Sequence, residues 1–227
     1  MLNAVIVRHM NIEGPGLLEE MLIEGGVDYD IFDARELRTM RLPRAQLYIS
    51  MGGAGSANDT DDCTQKEIYT IRQHVNNEGY FLGVCLGAQM LAKALGGTVK
   101  QGRREAGNYA VELTEKGIGE PLLAGLGKKL QVFQWHGEKF TLPERARLLA
   151  RANGMNQMFA YKNALGMQFH LEPTQEMVEE WIKTSPYYAE GAGKTNQQVK
   201  EEYRQNCGLY EYALREIFGR FLDGAGR

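Results

Sequence analysis

The run GVCLGAQ at 83–89 places a cysteine between two glycines, each two residues away, directly after the apolar Tyr80-Phe81-Leu82. A strand should hand over to a helix there. Gly83 and Gly87 carry no Cβ, so the chain can turn tightly and push Cys85 out at the tip, its sulfur beside the next helix's N-terminus. That end of a helix favours an anion, here a thiolate. A buried cysteine that merely fills space would look the same in isolation. Its companions must decide, because a thiol nucleophile needs a base, a group to orient that base, and donors for the oxyanion.

The chain has four histidines. His9 follows an apolar strand-like segment and His74 lies among polar helical residues, so a surface or second-layer role is expected for both. His136 follows FQW. His170 closes the run GMQF and precedes Glu172 by two in FHLE. In an extended chain residues i and i+2 share a face. The Glu172 carboxylate can then hold the imidazole in the tautomer that leaves its other nitrogen facing a thiol. In the loop MGGAGSANDT, Gly52 and Gly53 let a backbone N–H approach a substrate unobstructed, although a plain turn would also use them. Gln89 lies one helical turn beyond Cys85 on the same face, within reach of a substrate's polar end.

These groups need a scaffold. Ala4–Val7, Tyr29–Phe32, Leu47–Ser50 and Tyr80–Val84 read as strands. Between them lie helices over Gly14–Gly26, with Leu17, Leu18, Met21 and Leu22 on one face, and from Asp61 or Asp62 through Ile68, Ile71 and Val75 to about Gly79. Another helix covers Leu86–Leu95. Such alternation indicates βαβ units on a parallel sheet. Tyr109–Leu113, Leu130–Trp135, Arg147–Arg151, Met158–Tyr161 and Leu165–Phe169 are short strands whose spacing suggests antiparallel additions. Helices over Thr174–Lys183 and Gln197–Leu222 close the chain. In the last, Tyr203, Cys207, Tyr210, Leu214, Ile217 and Phe221 form a stripe expected in the core. The expectation is an α/β fold with a mostly parallel central sheet flanked by helices and antiparallel strands in the second half. It forms one domain over 1–227, with a C-terminal helical extension from about 174.

Composition narrows the function classes. A hydrophobic fraction of 43% with 24% charged residues is that of an ordinary globular chain. A net charge of -3 offers no field to draw nucleic acid or an anionic membrane. No apolar run reaches the length of a membrane span. Cys63, Cys85 and Cys207, odd in number and far apart, suit free thiols in a reducing compartment, hence the cytoplasm. GAGKT at 191–195 ends like a phosphate loop but lacks its first glycine, since Tyr188 stands there; nucleotide binding is not expected. The acids of NDTDD at 58–62 read as helix caps rather than metal ligands, and no His or Cys pair has zinc spacing. No metal and no cofactor are expected.

GVCLGAQ, LYISMGGAG, WHG and GMQFHLE, in this order, resemble the class I glutamine amidotransferase family, and the resemblance runs from the first strand to about Glu172. It implies the flavodoxin-like fold of that family and a Cys-His-Glu triad of Cys85, His170 and Glu172. Cys85 would attack the glutamine side-chain carboxamide, leaving a γ-glutamyl thioester that water hydrolyses to glutamate. The backbone N–H groups of Gly53 and Leu86 would form the oxyanion hole. Gly52, Gln89, Trp135, His136 and Gly137 would contact glutamine. Leu171 stands where many members have proline, Ala54 where proline often follows the paired glycines, and Ala88 where many have histidine. None of these removes a reacting group. The pattern is similar to that of stand-alone members related to the glutaminase domain of GMP synthase. The resemblance leaves open a glutaminase supplying ammonia to a synthetase subunit, a γ-glutamyl peptide or conjugate hydrolase, and a non-catalytic binding module on this fold.

Overall fold

The computed structural model describes residues 2–226. In chain order its elements are β1 (Asn3–Arg8), α1 (Leu17–Glu24), β2 (Asp28–Asp33), β3 (Leu47–Ser50), α2 (Asp62–Asn76), β4 (Tyr80–Val84), α3 (Leu86–Ala94) and β5 (Val99–Leu113). There follow α4 (Glu115–Ile118), β6 (Lys129–Phe140), β7 (Arg147–Ala152), β8 (Met155–Tyr161), β9 (Ala164–Met167), α5 (Gln175–Thr184) and α6 (Asn196–Ala225). The strands make one sheet in the order β2-β1-β3-β4-β9-β8-β7-β5-β6.

β1, β3 and β4 are buried runs that feed both faces of the sheet, while β2, at its edge, is only partly covered. Ala4 and Ile6 pack with Leu18, Leu22, Trp181 and Leu214 of α1, α5 and α6. Val5 and Val7 pack with Ile68, Ile71, Met90 and Leu91 of α2 and α3. Apolar side chains on both faces are what a parallel sheet sandwiched between helix layers requires. The parallel half extends through β9, which pairs with β4 in register from Phe81↔Ala164 to Val84↔Met167. The expectation that the last strand is simply another antiparallel addition is therefore half corrected. β9 is antiparallel to β8 but parallel to β4, and that is what brings the 167–172 segment beside the end of β4.

Several expected boundaries move, and one residue of an expected core stripe is not core. α1 begins at Leu17, not Gly14, because Pro15 and the left-handed Gly16 (φ 50°) precede it and the Leu17 N–H donates to the Glu172 carbonyl at 2.9 Å. β5 starts ten residues before Tyr109, at Val99, and forms a long hairpin with β6. Its first half is solvent-facing and broken by a bulge between Gln101 and Glu105, so no apolar alternation announces it. Cys207 is only half-buried, whereas the rest of its expected stripe (Tyr203, Tyr210, Leu214, Ile217, Phe221) is core.

Candidate active site

Cys85 joins β4 to α3 with φ 50° and ψ -103°, a conformation that L-residues rarely adopt. The flanking glycines make it possible. A Cβ on Gly83 would lie 2.6 Å from the Gly87 carbonyl, and one on Gly87 would lie 2.0 Å from the Ser50 carbonyl oxygen. The turn is pinned by the Cys85 N–H, which donates to Met167 O at 2.8 Å, and the Gly87 N–H, which donates to Met51 O at 3.1 Å. Leu86 is the first residue of α3, so its N–H has no acceptor within the helix. Gly52 sits opposite. A Cβ there would meet Glu13 Oε2 at 2.5 Å, His170 Cε1 at 3.0 Å and Cys85 Cβ at 3.6 Å.

His170 does not close a regular strand. β9 stops at Met167, and the His170 backbone is held instead by a bridge to Phe133 of β6, with N–H···O distances of 2.8 and 3.1 Å. The pairing with Glu172 forms all the same. The His170 Nδ1–H donates to Glu172 Oε1 at 2.7 Å, and Glu172 Oε2 accepts the Leu171 N–H at 3.0 Å. Both residues are buried. Burial opposes charge on the imidazole, but the Glu172 carboxylate and then Cys85 outweigh it, holding the His170 pKa well above its ordinary value. Nε2 is buried with no hydrogen-bond partner among the described residues. Trp181 packs edge-on to the ring at 4.9 Å and is itself fixed by donating its indole N–H to Ile12 O at 2.7 Å.

A cleft of about 350 Å³ opens above these groups, lined among others by Cys85, Leu86, Gly53, Gln89, Trp135 and Gly137. Of the residues singled out in the sequence, Gly53, Cys85, Leu86, Gln89, Trp135, His136 and Gly137 line this cavity, whereas Gly52, His170 and Glu172 lie outside its lining, with a Cβ on Gly52 falling 3.0 Å from His170 Cε1 and 3.6 Å from Cys85 Cβ. Two of the lining side chains are engaged elsewhere. The Gln89 amide donates to Gln168 Oε1 at 3.1 Å, and the Gln168 amide N–H points at Cys85 Sγ at 3.8 Å, so Gln89 is tied to the thiol through a second glutamine. The His136 side chain turns away from the thiol, with Nδ1 donating to Glu138 O at 3.0 Å and Nε2 lying 3.2 Å from Glu105. Asn153 donates to the other Glu105 oxygen.

Glu13 and Tyr188, also in the cleft, gave no sequence signal for a site. Glu13 lines it as a nearly buried carboxylate, its pKa raised chiefly by burial. Tyr188 stacks on Trp135 at 4.5 Å, and the Arg104 guanidinium lies over the Tyr188 ring at 4.7 Å. His9 belongs to a second layer behind the glycine loop, and His74 stacks on Tyr48 far along α2. The two decoys have structural uses. Lys194 of GAGKT pairs with Glu202 at 2.7 Å while Thr195 caps α6, and Asp61 of NDTDD caps α2. Among the described residues no group of three His, Cys, Asp or Glu side chains could hold a metal ion.

Residues 17–183 match the sequence pattern of the family described as Glutamine amidotransferase class-I. The chain belongs to the class I glutamine amidotransferase family. Over 186 residues it is 34% identical to a glutamine amidotransferase-like protein, YfeJ, of Salmonella typhimurium, covering 78% of this chain and 77% of that one. It is 30% identical over 178 residues to the glutamine-hydrolyzing GMP synthase of Aeropyrum pernix, covering 73% of this chain but only 33% of the synthase. A glutamine amidotransferase of Thermotoga maritima superposes with a TM-score of 0.87 at 29% identity, over 97% of this chain and 98% of that one. The mixed nine-stranded sheet is thus the flavodoxin-like fold of class I glutamine amidotransferases, and the nearly complete mutual coverage is with stand-alone members. Among the described residues no helix is long and apolar enough to cross a membrane.

Proposed function

We propose that this amidotransferase hydrolyses the side-chain amide of glutamine through a γ-glutamyl thioester on Cys85. The observation that carries the reading is the 2.7 Å contact between His170 Nδ1 and Glu172, beside a cysteine elbow. A carboxylate only accepts, so Nδ1 keeps its proton and Nε2 is left to take one from the thiol. Thiolate Sγ attacks the amide carbon, and the developing oxyanion is met by the N–H groups of Leu86 and Gly53. His170 returns its proton to the amide nitrogen, the C–N bond breaks and ammonia leaves. Water, deprotonated by the same nitrogen, then attacks the thioester carbonyl. The C–S bond breaks, giving glutamate and the free thiol.

Gly52, Gln89, Trp135, His136 and Gly137 are the proposed contacts for glutamine, with His136 acting through its backbone because its imidazole is committed to Glu105 and Glu138. The ammonia would serve an amidating synthetase on another chain. Three free thiols fit a reducing, cytoplasmic setting. One observation favours a second substrate for the same chemistry. The cleft runs on to Gln101, Arg104 and Glu138, further than a leaving ammonia requires, so the amine of a γ-glutamyl peptide would find polar and cationic partners there.

The test incubates the chain and its Cys85→Ala variant with glutamine and with γ-glutamyl dipeptides, following glutamate and the released amine by mass spectrometry. Glutamine turnover that requires Cys85 is the expected result. Preference for dipeptides would establish the second reading, and full turnover by Cys85→Ala would sink the thioester mechanism.

A further inference from the structure

His9, immediately after β1, is bonded through both ring nitrogens. Nδ1 lies 3.2 Å from the Gly52 carbonyl oxygen and Nε2 lies 2.8 Å from Glu67 Oε2. Glu67 is buried on α2, and its other oxygen accepts the Ser50 hydroxyl at 2.6 Å. A carbonyl can only accept, so Nδ1 carries a proton. Burial works against a charge on this imidazole, yet Glu67, then the Gly52 carbonyl and Glu13 on the loop beyond β1, raise its pKa. The pair is a charge-assisted contact in a dry setting. His9 also presses on the neighbouring residue, since a Cβ on Gly53 would come within 2.5 Å of His9 Cβ.

The carbonyl that His9 grips and the Gly53 N–H belong to the same peptide unit. That unit is planar and trans, so its C=O and N–H point in opposite directions. Holding the carbonyl on the imidazole therefore fixes the N–H pointing away from it. Without such a hold, two consecutive glycines would let the peptide turn over at little steric cost, presenting a carbonyl where a donor is needed. Gly53 lines the cleft with Cys85 and Leu86.

We infer that His9 is a positioning residue: braced by Glu67 and Ser50, it locks the Gly52–Gly53 peptide so that the Gly53 N–H faces the oxyanion, keeping that half of the oxyanion hole preformed. The inference rests on the glutaminase reading. It gives His9 no contact with reacting atoms and confines its influence to the step in which negative charge appears on the substrate oxygen.

Two isosteric substitutions separate the two nitrogens. Asparagine places an amide N–H near the position of Nδ1, and glutamine places one near Nε2. On the full chain one would measure kcat and KM for glutamine, the affinity for glutamate γ-semialdehyde, and the rate of Cys85 alkylation by iodoacetamide. The aldehyde forms a C–S bond to Cys85 and places a developing oxyanion in the hole, whereas alkylation displaces iodide and needs no such hole. His9→Gln should lower kcat by about 10- to 100-fold, somewhat less than outright loss of one oxyanion donor, with KM unchanged. Aldehyde affinity should weaken by the same factor while alkylation proceeds at the parent rate. His9→Asn should recover most of the parent kcat. Equal losses in both variants, or alkylation falling in step with kcat, would overturn the positioning role. A parent chain that forms no aldehyde adduct while still being alkylated at Cys85 would instead overturn the glutaminase reading, and this inference with it.

Discussion

Replacing Glu172 by glutamine should damage catalysis more than removing the side chain altogether. The carboxylate uses both oxygens as acceptors, Oε1 from the His170 Nδ1–H at 2.7 Å and Oε2 from the Leu171 N–H at 3.0 Å. Glutamine offers one acceptor and one donor in the same place. With its oxygen toward His170, its amide N–H confronts the Leu171 N–H, donor against donor, in a site that is buried. Turned over, the oxygen satisfies Leu171 and the NH2 donates to Nδ1, provided Nδ1 surrenders its proton. That proton then resides on Nε2, the atom that accepts from Cys85 in the proposed mechanism. The productive arrangement leaves two buried donors unpaired at about 1–3 kcal/mol each, so the unproductive tautomer is favoured by about 2–6 kcal/mol. At 1.36 kcal/mol per decade the centre of that range is a loss of about 10³ in kcat, near the 10⁴ that the same reversal costs a serine triad. Glu172→Ala imposes neither tautomer and should lose only about 10²-fold, within the contribution typical of one general acid–base device. Glutamate release gives kcat and KM, and ¹⁵N chemical shifts of the His170 ring report which nitrogen is protonated. A glutamine variant as fast as the alanine variant, or one whose Nδ1 stays protonated, would refute the reasoning.

Two further expectations concern stability. Gly87→Ala drives a Cβ to 2.0 Å from a backbone oxygen that cannot retreat without dislodging β3, so it should cost about 3 kcal/mol or more in denaturant unfolding; a loss below 1 kcal/mol would show that the elbow has slack. His74, stacked on Tyr48 and donating to Tyr80 O at 2.8 Å, has its pKa lowered by burial against that carbonyl contact, so the unfolded chain binds its proton first. Its contribution is present above the ordinary value of 6.5 and is lost as pH falls below it, by up to about 1.4 kcal/mol per pH unit. His9 and His170, whose pKa values are raised, act with the opposite sign: their contribution is full below 6.5 and is lost as pH climbs through their folded-state values. The stability gap between the parent and His74→Gln should therefore narrow between pH 7 and pH 5, and a constant gap would contradict the assignment.

What could be read from the sequence was what has a local cause. Gly83 and Gly87 declare the elbow because the clash they avoid is with the turn itself and with the strand beside it, and His170 and Glu172 declare a pair because a single residue separates them. Even there the extended-strand rationale was incomplete. It is the Phe133 bridge and the Leu171 N–H, not a regular strand, that hold the imidazole and carboxylate together. The parallel half was legible from its continuous apolar runs, whereas the first half of β5 was not, because an exposed hairpin arm has no buried face to impose a period. Least legible was the polar shell. His9 meets Glu67 across 58 residues and Gln89 meets Gln168 across 79, so neither side of each pair carries a mark of the other. A polar residue at the end of a buried strand does imply that a partner exists, since leaving it unpaired costs more than the bond returns. His9 after AVIVR, Ser50 after LYI and Gln168 after ALGM all stand in such places: His9 bonds the glycine loop facing Cys85, Gln168 points at Cys85 itself, and Ser50 bonds the Glu67 that holds His9. The ends of parallel strands are where the sheet stops supplying backbone partners. Polar groups stranded there must pair with one another, and that necessity gathers Cys85, the His170–Glu172 pair and the His9–Glu67 pair behind the glycine loop at one edge of the fold.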